Sequence, residues 1–255
     1  MSFPNHPDKQ AASSLLHAED IVAYRRRLGR ALPFEPEAAL FCLERGLPHR
    51  LRRRVPVRLA GHMNADVYQV KRTNVAVLTS FGGGSPMVAE LAEELAAMGA
   101  SKLLLMTWGG ILQPEMKPGD IVVCDRAVRD EGTSHHYLPP ARYVAADISL
   151  VDQVVHAIQA HGAACSVGAT WTTDAPYRET REEIIGYQSE GVKVVELESA
   201  GLFTIGQVRS IPVASIVVGM DSLASLQWKI PDRLDQIMIS LEIVYRAAIQ
   251  VLAAK

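Results

Sequence analysis

The chain reads as a single α/β domain built on a mixed, mostly parallel central sheet flanked by helices, and three observations carry that reading. Short apolar runs of strand length alternate with longer stretches whose apolar residues recur at helical spacing, the pattern of a sheet covered by helices. With 255 residues, 48% of them apolar, the chain can bury one large core. Several strand-like runs end at glycines, at 82–84, 109–110 and 119, which gathers loops on the side where open α/β sheets keep their ligand crevice.

The elements follow in order, with residues 1–35 as an N-terminal tail and helix and 36–255 as the domain proper. Residues 1–15 are largely polar and start as a loose tail, and a helix is expected around 18–28 with Arg25, Arg26 and Arg27 on a solvated face. Strands are expected at 38–42, 75–79, 103–107, 121–124, 167–172, 192–197 and 213–219. Between them, Val88, Leu91, Leu95 and Met98 form the buried stripe of a helix over 87–98, and Ile148, Val151, Val155 and Ile158 that of one over 148–158. An amphipathic helix over 231–253 closes the chain, with Leu234, Ile237, Leu241, Val244 and Ile249 on one side.

Charge and cysteine usage exclude several classes of function. With 26 basic residues against 28 acidic ones, no global field favours nucleic acid or an anionic membrane, so the partners expected are small molecules or copies of the chain. Cys42, Cys124 and Cys165 are far apart in sequence, which indicates neither a disulfide framework nor a zinc site, and a reducing cytoplasmic location is expected. No uninterrupted apolar run reaches the ~18 residues of a membrane span, and no metal site is indicated.

Two segments carry chemistry. The run 75–79 passes through Ser80-Phe81-Gly82-Gly83-Gly84-Ser85-Pro86 into a helix, with Ser85 suited to the cap and Pro86 to the first helical position. Such a loop either presents backbone N–H groups to an anion, phosphate above all, or is simply a turn. It is neither Gly-x-Gly-x-x-Gly nor a lysine-bearing Walker loop, which argues against dinucleotides and ATP. The second segment, Val194-Val195-Glu196-Leu197-Glu198-Ser199-Ala200, sets two carboxylates where a strand turns into a helix. Period-two alternation points both the same way, either into a crevice or, for one of them, toward the dipole of the following helix.

Seven motifs in order then become recognisable: Gly82-x-Gly84-x-Pro86; Gly109-Gly110-x-Leu112-Gln113-Pro114; Gly119-Asp120; Val128-Arg129-Asp130-Glu131-Gly132-Thr133-Ser134; Thr173-Asp174-Ala175-Pro176-Tyr177; Glu196-Leu197-Glu198-Ser199-Ala200; and Gly219-Met220-Asp221. On these the chain resembles, over about residues 36–250, the nucleoside phosphorylase family of uridine phosphorylase and the hexameric bacterial purine nucleoside phosphorylases. The same resemblance takes in the nucleosidases of methylthioadenosine and S-adenosylhomocysteine.

The resemblance implies a three-layer α/β sandwich. It also implies cleavage of the N-glycosidic bond of a nucleoside by phosphate through an oxocarbenium-like transition state, giving free base and (deoxy)ribose 1-phosphate. Inorganic phosphate would be a co-substrate and no cofactor is implied; the assembly implied is a homodimer or a hexamer made as a trimer of dimers. Glu198 matches the family's ribose-binding second glutamate, and Leu197 stands where the family carries methionine. Asp221 matches the aspartate that assists a departing purine, although beside Ser222 it also reads as a helix cap. Tyr177 falls in the base-stacking segment, while Glu196, Trp108, Gly109 and His62 border the ribose and base. For Trp108, core packing is the alternative.

Phosphate falls to Arg45, Gly82 and Gly84, because Met63 and Leu105 occupy the positions of two further family arginines. Two lost charged hydrogen bonds weaken phosphate binding by ~3–6 kcal/mol where nothing replaces them. Two alternatives are therefore carried: a nucleosidase with Glu44 activating water, and a nucleoside-binding protein without turnover. The family's uracil-reading Gln-x-Arg pair would fall at Thr180 and Glu182, which departs from uracil specificity.

Overall fold

β1 (Ala38–Cys42) and β4 (Val75–Thr79) are buried along their whole length, as strands of a sheet covered on both faces are. In this computed structural model, residue 6 and residues 9–254 are described; the parts of the expected tail at 1–5, 7 and 8 lie outside the described residues, as does residue 255. β1 lies between β4 and β5 (Leu103–Ile111), parallel to both, and β3 (Asp66–Val70) and β2 (Val57–His62) extend the sheet beyond β4 as an antiparallel pair.

On its other side β5 takes two neighbours. It pairs in parallel with β10 (Val213–Ser222) and, at Gly110 and Ile111, antiparallel with β9 (Val194–Glu196). β10 continues to β6 (Ile121–Asp130), β6 to β8 (Ser166–Thr173) and β8 back to β9, so β5, β10, β6, β8 and β9 close a ring. A short β7 (Tyr143–Ala145) flanks β6. The open arm β1-β4-β3-β2 thus grows out of a small barrel through the shared strand β5.

Closure depends on two glycines. A Cβ on Gly109 would sit 2.5 Å from the Val195 carbonyl oxygen and 2.8 Å from a Val217 methyl, and one on Gly110 3.0 Å from a Val195 methyl. Only a residue without a side chain lets β9 and β10 approach β5 this closely.

Period-two alternation splits the arm's side chains between two cores. Ala38, Leu40 and Cys42 face α4 (Ile148–Ala160) and α7 (Asp235–Ala253), while Ala39 and Phe41 face α3 (Ser85–Ala97) and α6 (Ser199–Arg209), which gives three layers. A third cluster, including Leu112, Trp171, Tyr187 and Val195, packs α5 (Arg181–Ser189) against the ring. Among the described residues α7 is the one helix long and apolar enough to cross a membrane. Its residues Ile237, Leu241, Val244, Tyr245 and Leu252 are buried, the position of a core helix.

Several expectations need correction. The helix after the glycine loop is capped by Gly84 at φ 98°, not by Ser85, whose hydroxyl donates to the Leu197 carbonyl and accepts from the Gly201 N–H, tying α3 to α6. α1 (Ala18–Arg27) does not present all its arginines to water: Arg25 pairs with the buried Glu94 of α3, while Arg26 pairs with Glu35 at the surface. The last helix begins at Asp235 rather than 231. β2, β3, β7, α5 and the short α2 (Leu47–Arg50) were not expected.

Candidate active site

β1 stops at Cys42, opposite Met106, but β5 runs on to Ile111 toward the ring. The strand carboxyl ends at which a ligand site is expected are therefore those where β1 and β4 end and β5 continues through Thr107 and Trp108. Glu198 stands there. Strand β9 ends at Glu196, and Glu198, the cap residue of α6, turns toward the glycine loop: its Oε1 accepts the Gly84 N–H at 2.8 Å and its Oε2 a long bond from the Thr107 hydroxyl at 3.5 Å. Its carboxyl is buried, and that burial, with the negative charge of Glu196 beside it, pushes its pKa from 4.5 up to about 7.

Glu196 does not point the same way, because the strand ends before the alternation can continue. Its carboxylate turns to β8 and the start of α6, accepting from Thr172 Oγ1 at 2.6 Å, Thr170 Oγ1 at 3.2 Å, and the N–H groups of Glu198 and Ser199 at 2.8 and 2.7 Å. Burial raises its pKa, and the Thr172 hydroxyl and these two amides oppose the rise. A carboxylate so engaged holds the N-terminus of α6 in place, and with it Glu198.

Asp221 sits just past a bulge in β10, in register with Gly110. That is three residues along β5 from Thr107, roughly 10 Å at ~3.3 Å per residue. Its Oδ2 accepts the indole N–H of Trp228 at 2.6 Å. Glu179, absent from the sequence expectations, is half-buried nearby: burial first, then the Asp221 and Glu183 carboxylates, push its pKa from 4.5 up to about 7.

The remaining candidates are scattered. Trp108 and Leu197 are half-buried beside Glu198, but Gly109 is buried against Val195 as part of the ring closure. Gly82 and Arg45 are exposed at the ends of the loops that follow β4 and β1. His62 is exposed and bonds Asp66 at 3.4 Å; through the register His62 to Asp66 to Thr79 it lies at the same end of the sheet, two strands out from β4. Tyr177 is 99% exposed in a 3-10 turn and stacks on nothing in the described structure. Met63 and Leu105 are buried in the core that faces α3 and α6, Met63 beside Leu32, Phe34 and Met98 beneath α1. Sequence reasoning missed Thr107 as a partner of Glu198, Thr170 and Thr172 as partners of Glu196, and both Glu179 and Trp228. Thr107 precedes Trp108 in a motif already singled out, whereas Trp228 and Glu179 lie in irregular segments that no periodicity marks.

Glu198, a buried carboxylate at a β-to-α junction, and Asp221, near the end of β10, are thus carried by an α/β fold near the ends of β9 and β10. Comparison with known proteins gives the family. Residues 34–252 match the Phosphorylase superfamily. A uridine phosphorylase of Salmonella typhimurium is 30% identical over 181 residues, 64% of this chain and 72% of the relative. A guanosine phosphorylase of Halorubrum lacusprofundi is 28% identical over 139 residues, 54% of this chain and 58% of the relative. In fold, the crystal structure of uridine phosphorylase from Vibrio fischeri superposes with a TM-score of 0.72 at 23% identity, over 96% of this chain and 98% of that one. The chain belongs to the Phosphorylase superfamily, in its nucleoside phosphorylase branch.

Proposed function

We propose that this protein is a nucleoside phosphorylase, a pentosyltransferase that uses inorganic phosphate to split a nucleoside into free base and (deoxy)ribose 1-phosphate. The observation that carries the assignment of roles is Glu198, a buried carboxylate pinned by the Gly84 N–H where β5 leaves the sheet arm. Ionised, it offers two acceptor oxygens to the two donors of a ribose diol, and its charge favours the oxocarbenium character of the reacting sugar. A phosphate oxygen attacks the anomeric carbon, the bond to the base breaks with its electron pair going to the base, and Asp221 supplies the proton. Trp108 and Leu197 border the sugar and base, and Glu196 acts by holding Glu198.

Phosphate is held by Arg45 and the Gly82 to Gly84 loop. The Gly84 N–H is given to Glu198, so this loop ties the phosphate subsite to the sugar subsite. Asp221 supports purine or broad base preference. The chain works without a cofactor beyond phosphate, in the cytoplasm, as a homodimer or a trimer of dimers, with the exposed end of β2 at His62 turned to a partner.

A second reading, hydrolysis by water with Glu44 as the activating base, is favoured by Met63 and Leu105, apolar and buried at the two positions where the resemblance expects arginines. A panel of purine and pyrimidine nucleosides, assayed with and without phosphate and read by chromatography, separates the two. Phosphate-dependent release of base with sugar 1-phosphate supports phosphorolysis. Equal base release without phosphate supports hydrolysis, and binding without any product refutes both.

A further inference from the structure

After β10 the chain makes a short loop that is fixed at several points. Ser222 and Lys229 exchange backbone hydrogen bonds at 2.8 and 2.9 Å, closing residues 223–228 into a small hairpin. Leu226 takes a positive φ of 59° and donates its N–H to the Leu223 carbonyl at 2.8 Å. Gln188 of α5 donates to the Ala224 carbonyl at 3.0 Å, and Leu223 and Leu226 pack on the cluster containing Trp171 and Tyr187. The result of this anchoring is the placement of Trp228 at the end of the loop.

Trp228 is 64% exposed, so burial of its ring does not account for its position. What it does make is a single short polar contact, Nε1 to Asp221 Oδ2 at 2.6 Å. An indole N–H is a donor only, so Oδ2 has to accept from it. When Asp221 carries a proton, the indole N–H favours it on Oδ1, since the carbonyl oxygen is the better acceptor; Oδ1 is the oxygen on the Gly110 side, 3.6 Å from where a Gly110 Cβ would lie.

We propose that Trp228 is a positioning residue for the reaction: it locks the Asp221 side chain and reserves Oδ2 as an acceptor, so that Oδ1 is the oxygen that hands the proton to the departing base. The inference rests on the reading of Asp221 as the acid, and it assigns to the hairpin a part in leaving-group protonation.

The test compares Asp221→Asn, Trp228→Phe, Trp228→Ala and the double variant Asp221→Asn/Trp228→Phe on two substrates in phosphate. One is an ordinary purine nucleoside; the other is its N7-methylated form, whose base is already cationic and leaves without taking a proton. Removing a general acid costs about 100-fold or more in kcat. Asp221→Asn should therefore lose about that on the ordinary nucleoside and little on the cationic one. Trp228→Phe and Trp228→Ala should each lose about 10-fold in kcat on the ordinary nucleoside, with KM unchanged, and almost nothing on the cationic one. The double variant should be no slower than Asp221→Asn alone. Full kcat in Trp228→Phe, or an equal loss on both substrates, overturns the proposal while leaving Asp221 in its role. Full activity of Asp221→Asn on the ordinary nucleoside refutes the role of Asp221 itself and the proposal with it.

Discussion

Replacing Glu198 by glutamine separates what this residue does for the reaction from what it costs the fold. The substitution keeps shape and leaves an acceptor for the Gly84 N–H, but it removes the charge. In the folded protein burial and the neighbouring Glu196 hold the carboxyl at about 7, against 4.5 for an unperturbed glutamate. Between those two values the unfolded chain has released its proton and the folded chain has kept it. Stability therefore falls as pH rises from about 4.5 to about 7 and stays lower above it. The gap corresponds to about 3 kcal/mol, a strain that Glu198→Gln removes.

Thermal unfolding should thus show Glu198→Gln melting with the wild type near pH 5 and above it near pH 8, by roughly 2–4 °C for each kcal/mol recovered. Activity should move the other way. The wild-type kcat/KM should rise with pH through about 7 as Glu198 ionises. At pH 8 Glu198→Gln should lose about two to three powers of ten, the loss of charge-assisted hydrogen bonds from two ribose hydroxyls at roughly 1.5–3 kcal/mol each, partly retained by the amide. A melting difference that does not change with pH would refute the burial argument. Retention of kcat/KM within about threefold at pH 8 would remove Glu198 from the sugar site.

Three further substitutions probe other parts of the structure. Gly109→Ala places a methyl 2.5 Å from the Val195 carbonyl oxygen, backbone that cannot yield cheaply, and should lower stability by about 2 kcal/mol or more in urea titration; a neutral outcome would mean that ring closure at β9 is looser than described. Arg129 is buried with Nε on Ser134 Oγ at 2.9 Å and its two terminal nitrogens on the Pro139 and Leu138 carbonyls at 2.7 and 3.2 Å. Arg129→Lys cannot match this planar fork and should cost about 2–3 kcal/mol, with faster amide exchange over residues 134–138 as the local signature. Arg45→Ala should raise the KM for phosphate by about 10- to 100-fold and leave the KM for nucleoside within about twofold; an unchanged phosphate KM would take Arg45 out of that subsite.

Much of the arm was legible before any coordinates. β1 and β4 fall at the bounds that their apolar runs mark, because a strand buried on both faces writes its own length in unbroken hydrophobic residues. α3 and α4 follow from their helical stripes for the same reason. β2 and β3 did not show, since they lie at the outer side of the sheet and Arg58, Gly61, His62, Asp66 and Gln69 break up their apolar residues. α5 carries little apolar stripe, yet its start was written as a capping box: Thr180 accepts the Glu183 N–H and Glu183 accepts the Thr180 N–H. The motif Glu196-Leu197-Glu198 pointed to the right junction but not to two divergent carboxylates, because alternation holds only while the strand lasts and β9 stops at Glu196.

The sequence by itself determined the layered α/β class, the nucleoside phosphorylase resemblance and the strand-end segments that carry the candidate residues, because these depend on local periodicity and on the order of short motifs. Only the tertiary structure decided that the sheet closes into a ring at Gly109, that Gly84 spends its N–H on Glu198, and that Trp228 holds Asp221. Each is a contact between segments distant in the chain or across an irregular loop, where the energy lies in the approach of particular atoms and no repeating pattern records it.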